Sequence, residues 1–221
     1  MYNKETVRLV GTNHVSFDSK KVILDAFFAF EPDIIALELD RERLQGLLSG
    51  PRKVPFSAIF QLGVIGYLFV LIGSKVQNTL AKKYGVRPGE DMLTGLEIAK
   101  QYQKKVSLVD QPVRITLKRL SKLFTFREKM RVGIDLIRSF VSKKFVYSIG
   151  IDPSKVPDEQ TIIRVIAFLE KRYPSVYKAL IHERNIYMCR RIKRIQDQFP
   201  QAKILCIVGA GHIPGMEKLG Q

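Results

Sequence analysis

The sequence predicts an α/β fold: a mostly parallel central sheet flanked by helices, with an added helical insertion. Two observations carry this. Four short apolar runs, Val7–Val10, Ile34–Leu37, Val106–Val109 and Ile204–Val208, have the Val/Ile/Leu character of strands covered on both faces. Most of them are followed by segments with helical periodicity, the alternation that builds parallel sheets.

The first helix is expected to start near Ser16 to Ser19 and to stop at Glu31-Pro32. Val22, Ile23, Ala26, Phe27 and Phe30 follow the 3.6-residue period, and Asp18 or Ser19 can cap the helix. A later helix is predicted from about Asp158 to Tyr173, with Pro157 near its first turn, and a long one from about Ser175 to Gln198. On that last helix Val176, Leu180, Tyr187, Ile192 and Ile195 mark an inward stripe, and the α-helical period places Glu183 on the same side. A carboxylate there needs a partner, either Arg184 or a basic group elsewhere, or else it lines a site. The helical insertion is expected over about 50–100 and 112–147, between the second and third main strands of one domain spanning 1–221.

Within it, Val54 to Ser74 carries no charge over 21 residues, long enough to cross a bilayer. Pro55, Gln61, three glycines and the basic flanks Arg52, Lys53 and Lys75 weaken that reading. A buried hairpin, a lid or a dimerisation helix has the same composition. A non-spanning segment is the expectation, because a lone span between strands of one sheet would split the domain.

Composition bounds the rest. At 221 residues, 46% hydrophobic and 26% charged, the chain can bury a substantial core, and no low-complexity tract suggests disorder. Cys189 and Cys206 cannot form a disulfide framework, and the opening residues lack the apolar core of a signal peptide. A cytoplasmic location is therefore expected. The net charge is +16, and between Pro112 and Lys144 ten Lys or Arg face only Glu128 and Asp135. Such a band is either a solvated helix face or an attractor of phosphates, acidic peptides or an anionic membrane surface. Nucleic acid is disfavoured, since no basic-aromatic recognition motif accompanies the charge.

The chemistry concentrates at strand ends. Of three histidines, two occupy equivalent turns: Gly11-Thr12-Asn13-His14 follows the first strand and Gly209-Ala210-Gly211-His212 the last. Ligands of open α/β sheets bind outside the carboxyl ends of strands, and the glycine lets the chain turn sharply there. Glu38 stands where the second strand gives out, with Asp40, Arg41 and Arg43 just beyond. Two imidazoles and a carboxylate make a plausible divalent-metal site, with Glu38 as ligand or as general base on a bound water. Equally, both histidines can be hydrogen-bonded turn residues, with Glu38 paired to Arg41 or Arg43. No His-Glu-x-x-His or Gly-x-Ser-x-Gly occurs, and Gly209-Ala210-Gly211 lacks the following βαβ unit of a dinucleotide site.

These blocks resemble the TraB/PrgY (pheromone-shutdown) family, within a wider Tiki/TraB/ChaN-like superfamily. Gly11-Thr12-Asn13-His14-Val15-Ser16 is similar to its opening block, and Pro32 to Asp40 with Arg43 to its second. Arg87-Pro88-Gly89-Glu90-Asp91-Met92, Asp110 to Arg119, Glu183-Arg184-Asn185 and Gly209 to Gly215 resemble later blocks, in order. Gln111 departs from the arginine common in the family. The resemblance implies His14, Glu38 and His212 as central catalytic or metal-binding residues. It also implies Glu90, Asp110, Arg114, Glu183 and Arg184 as supporting ones. Some superfamily members are described as metal-dependent proteases, others as haem- or iron-binding, and many TraB/PrgY members carry membrane spans after the closing block.

The reading that follows is a metal-dependent hydrolase acting on a peptide. The ion would be divalent (Zn, Mn or Co), and Arg41, Arg43 and Arg114 would hold a substrate carboxylate. The alternative is a non-catalytic peptide- or ligand-binding regulator, at a membrane or as a homodimer.

Overall fold

The computed structural model describes residues 2–12, 18–50, 57–84, 89–141 and 159–220. The four apolar runs form strands β1 (Val7–Thr12), β2 (Ile34–Leu37), β3 (Lys105–Leu108) and β4 (Ile204–Gly209). All pair in parallel, in the order β1-β4-β2-β3. The last strand thus inserts between the first two, with Val7 opposite Ile204 and Leu37 opposite Ile207. A parallel sheet needs crossovers over its faces, and the runs are apolar on both sides because both faces are covered.

One face is covered by α1 (Asp18–Phe30) and α4 (Glu90–Gln101), which bury Ile23, Phe27, Met92 and Ile98 against Val10, Ile35, Leu37 and Ile207. At Gly95 a Cβ would come within 2.7 Å of Ile207 and Leu37 side chains, so α4 lies close to the sheet. The other face is covered by α9 (Glu183–Gln198) and α10 (Ile213–Leu219), through Met188, Cys189, Ile192 and Met216 against Ile34, Ala36, Cys206 and Val208. Connections from β2 and β3 thus leave to opposite faces, the arrangement at which open α/β sheets place a ligand crevice outside the carboxyl ends of their strands.

The expected insertion divides. α3 (Ala58–Tyr84) lies between β2 and β3, whereas α5 (Val113–Leu123) and α6 (Phe126–Val141) lie between β3 and β4; α4 belongs to the sheet. The uncharged stretch builds the first part of α3, and the residues before Ser57 lie outside those described. Gly63, at φ 73°, kinks α3, a conformation that suits only a residue without Cβ. Ser121 of α5 fills the kink, donating to the Leu62 carbonyl at 2.7 Å and accepting from Gly66 N at 2.9 Å. Among the described residues no helix is long and apolar enough to cross a membrane.

The two helices expected late in the chain are α7 (Glu159–Arg172) and α9, the latter preceded by α8 (Pro174–Tyr177) and a π-helical turn over Lys178–His182. That turn has a consequence for the site. One extra residue in a turn rotates everything after it by about 100° relative to α-helical phase. Val176 is buried before the turn, Ala179 within it, and Asn185, Met188, Cys189 and Ile192 after it.

Both cysteines are free and buried. Burial, opposed by the N-terminal charge and a backbone hydrogen bond, pushes the Cys189 thiol up to about 11, and burial followed by the Glu38 charge raises Cys206 as well. A raised thiol pKa favours the fold fully below the ordinary thiol pKa of 9.0, and that contribution is lost as pH climbs through the folded value. We therefore expect neither thiol to react with a disulfide reagent at pH 8 under native conditions, and folding stability to fall between pH 9 and about 11. Titration with and without denaturant checks the first; urea midpoints across that window check the second.

Candidate functional site at the carboxyl ends of the strands

Each strand delivers a polar group to the same edge. β2 ends at Leu37, and Glu38 N still bonds the Ile207 carbonyl at 3.1 Å, so the Glu38 side chain is fixed beside β4. Its Oε2 accepts the Gly209 amide at 2.6 Å, and its Oε1 accepts from Arg184 Nη2. Glu38 is 5% exposed. Asp40 caps α2 (Arg41–Ser49), accepting from Glu42 N at 2.8 Å and Arg43 N at 3.0 Å. This satisfies two otherwise orphaned amides of the first turn. Its second oxygen takes Arg43 Nε at 3.0 Å and Val113 N at 3.1 Å, tying α2 to the start of α5.

Asp110, just after β3, completes the acidic set. It accepts from Gln111 N at 2.7 Å, from Arg184 Nε at 3.0 Å and Nη2 at 2.6 Å, and from Arg43 Nη2. Arg184 therefore spans Glu38 and Asp110 with one guanidinium fork, the geometry for which arginine is suited. Three buried carboxylates, Glu38, Asp40 and Asp110, face two guanidinium groups, Arg43 and Arg184. Burial, then the neighbouring Arg184 charge, lowers the Arg43 pKa, while Glu38 and Asp40 pull it back up. It stays cationic, as arginine does in proteins.

His212 closes the constellation. It ends a 3-10 turn (Ala210–His212) after β4 and is 4% exposed. Its Nδ1 lies 2.6 Å from Asn185 Oδ1, and its Nε2 lies 3.3 Å from Glu38 Oε1. An amide oxygen at Nδ1 fixes a proton on that nitrogen. Nε2 then carries either a second proton, shared with Glu38, or a lone pair turned toward the carboxylate. Gly215 makes room for this: a Cβ there would collide with the Asn185 amide.

A divalent ion is the group implied by the sequence, and the two described members of its donor set, His212 and Glu38, fit. A ligating imidazole whose other nitrogen is held by an oxygen acceptor is the usual supported arrangement, and two acceptors 3.3 Å apart suit a cation between them. Against this, Glu38 Oε1 is shared with Arg184. Among the described residues no three His, Cys, Asp or Glu side chains stand in ligating geometry. His14 lies outside the described residues; β1 ends at Thr12, whose register partner is Gly209.

The other expected residues are distributed as follows. Arg43, Asp110 and Arg184 join Glu38 and His212 in the buried network. Arg41 is exposed on the first turn of α2, and Arg114, also exposed, pairs with Glu42 at 3.0 Å on the rim. Glu90 is exposed at the start of α4, whereas its neighbour Asp91 is 3% exposed and accepts the Thr12 hydroxyl. Glu183 sits away from Glu38 in a pair with Arg119, at 2.5 and 3.0 Å, whose hydrogen bond holds the Glu183 carboxyl below the usual range. It took a basic group elsewhere in the chain, not Arg184.

Asn185 and Asp91 carry structural roles that the sequence reading did not single out, although both stand inside the blocks it quoted. For Asp91 a signal existed: it precedes Gly95 by four residues and Ile98 by seven, on the inward face of α4. For Asn185 a signal existed too: Met188, Cys189 and Ile192 follow it at three, four and seven residues on the inward face of α9.

Comparison with known proteins agrees with the ordered motif blocks. The chain is similar to the uncharacterized protein MJ1365 of Methanocaldococcus jannaschii, at 29% identity over 217 residues, 97% of this chain and 53% of that protein. It is also similar to the TraB domain-containing proteins of Mus musculus and Homo sapiens, each at 25% identity over 239 residues, 96% of this chain and 62% of theirs. The chain thus spans between half and two thirds of the length of these relatives. The model of the TraB/PrgY/gumN family matches residues 2–220, and the chain belongs to that family.

Proposed function

We propose that the strand-edge crevice is a metal-assisted hydrolytic site for a peptide. The observation that carries this is the His212 imidazole, held at Nδ1 by Asn185 and turned through Nε2 onto the buried Glu38 carboxylate. His212 and His14 would hold the ion, with Glu38 as general base rather than ligand; the ion when bound would supply polarisation of the scissile carbonyl and a more acidic water. Glu38 accepts the proton of the attacking water as its oxygen bonds to the carbonyl carbon, and returns it to the amine as the C–N bond breaks. Arg184 and Arg43 neutralise the surrounding carboxylates, so Glu38 is held in one orientation. Arg41 and Arg114 at the exposed rim would hold a substrate carboxylate, Arg114 by exchanging its Glu42 partner for it.

The test is a fluorogenic peptide library with added Zn, Mn or Co. Cleavage that drops at least about 100-fold in both His212→Ala and Glu38→Gln is the expected result. Cleavage that persists in both variants, or none in the wild type with any ion, removes the hydrolytic reading.

One observation favours a second reading. Arg184 already occupies Glu38 Oε1 and both oxygens of Asp110, which suits a rigid crevice that binds a peptide without cleaving it. Saturable peptide binding with no turnover, weakened by Arg41→Ala and Arg114→Ala, is its signature.

A further inference from the structure

The helix α6 is attached to the molecule the wrong way round for a water-soluble surface helix. Its two acids face inward, beside the partly buried Val132. Glu128 accepts from Ser175 N at 2.8 Å and from Thr125 N and Oγ1 at 3.1 and 2.8 Å. Asp135 accepts from Arg172 at 2.5 and 2.6 Å and from the Tyr173 hydroxyl at 2.5 Å. Glu128 is 2% and Asp135 6% exposed. On the opposite side Phe126, Met130 and Ile134, each four residues after the last, share one face and are 75%, 53% and 44% exposed. A surface helix of a globular protein ordinarily buries its apolar stripe; this one shows it to solvent.

Charge says what that face meets. At about 100° per residue, Arg127 and Lys129 fall on either side of the Phe126–Met130–Ile134 stripe, and both are exposed. The two acids of the basic band between Pro112 and Lys144 are Glu128 and Asp135, and both are spent inside the molecule. The described outward residues of the band are therefore uncharged or cationic, including the exposed Lys118 and Lys122 of α5. A second copy would set like charge against like charge around the stripe. An anionic lipid surface matches both parts at once: the apolar side chains enter the acyl boundary and the flanking cations meet headgroup charge. The exposed stripe of α3, Phe60, Val64 and Leu68, has no charged residue beside it on its own helix from Ala58 to Ser74, so that helix by itself does not indicate an anionic partner.

We propose that α6 docks this domain on the surface of an anionic membrane, lying in the interface with Phe126, Met130 and Ile134 inserted and Arg127 and Lys129 at headgroup level. The mode is peripheral, as befits a helix fixed to the body by its polar side.

Flotation of the full chain with phosphatidylglycerol–phosphatidylcholine vesicles tests this, beside pure phosphatidylcholine vesicles. Binding to the anionic vesicles that falls with salt, and that drops at least tenfold in Phe126→Ser/Met130→Ser/Ile134→Ser and in Arg127→Glu/Lys129→Glu, is expected. Because the chain has no tryptophan, Phe126→Trp supplies a unique depth reporter, whose quenching by brominated lipid does not depend on the other variants folding. No binding to anionic vesicles, or binding unchanged in the serine variant with an unquenched reporter, overturns the proposal. A dimer in sedimentation that the serine variant makes monomeric, without vesicle binding, assigns the face to a second copy instead.

Discussion

Replacing Arg184 by methionine is expected to destabilise the fold by about 3–5 kcal/mol at neutral pH, the cost of breaking a buried charge network by removing one partner. The size follows from what the guanidinium does. It is the bridge between Glu38 and Asp110, and both carboxylates are 5% exposed or less. Without it, Glu38 keeps the Gly209 amide and Asp110 keeps Arg43 and the Gln111 amide, but three buried acids then face one cation. Arg184→Lys is expected to restore only part of the loss, because an ammonium cannot present the parallel donors that serve two carboxylates. The penalty should shrink on acidification, since protonating the stranded carboxylates removes the uncompensated charge. Urea unfolding of the three proteins at two pH values measures all of this. A methionine variant within about 1 kcal/mol of wild type would mean that the network contributes orientation without stability.

Replacing Asn185 by leucine is expected to weaken divalent-metal affinity by about 10- to 100-fold, the usual cost of losing an imidazole's outer partner. Asn185 touches no substrate; it acts on the site through His212 Nδ1. The leucine variant leaves that nitrogen buried without its acceptor, so the ring loses both its preferred proton position and its orientation. Asn185→Asp keeps an oxygen in place and is expected to retain most of the affinity. The contrast separates positioning from packing. A structural role would lower the melting temperature in the leucine variant while leaving calorimetric metal affinity unchanged in both.

The sheet was legible because a strand covered on both faces has to be apolar along its whole length. Ile34–Leu37 and Ile204–Val208 admit hardly any other reading, and they form β2 and β4. The strand order was not legible: nothing in Ile204–Val208 says that it enters between β1 and β2. Within the site, Glu38 and His212 could be found because strand ends and glycine turns are local features. The partners of Glu38 were harder, since Arg184 lies 146 residues away and reaches it across the sheet edge. Glu183 was placed inward by an unbroken 3.6-residue period. The π turn at Lys178–His182 breaks that period, so Arg184 and Asn185 reach the site while Glu183 pairs with Arg119. A single inserted residue in a helix leaves no mark in the apolar pattern strong enough to read beforehand.

The same limit applies to α6. Its sequence is amphipathic whichever way it faces, and only the anchoring of Glu128 to Ser175 and of Asp135 to Arg172 and Tyr173 shows that the apolar side is the outer one.

The central proposal is that one divalent ion is bound by His14 and His212. Its most direct test is metal content and calorimetric affinity of the purified protein, compared with His14→Ala and His212→Ala. One equivalent of ion in the wild type, lost in both variants while their circular dichroism is unchanged, is the predicted result. Metal absent from all three, with the variants only less stable, would contradict it and make the histidines structural.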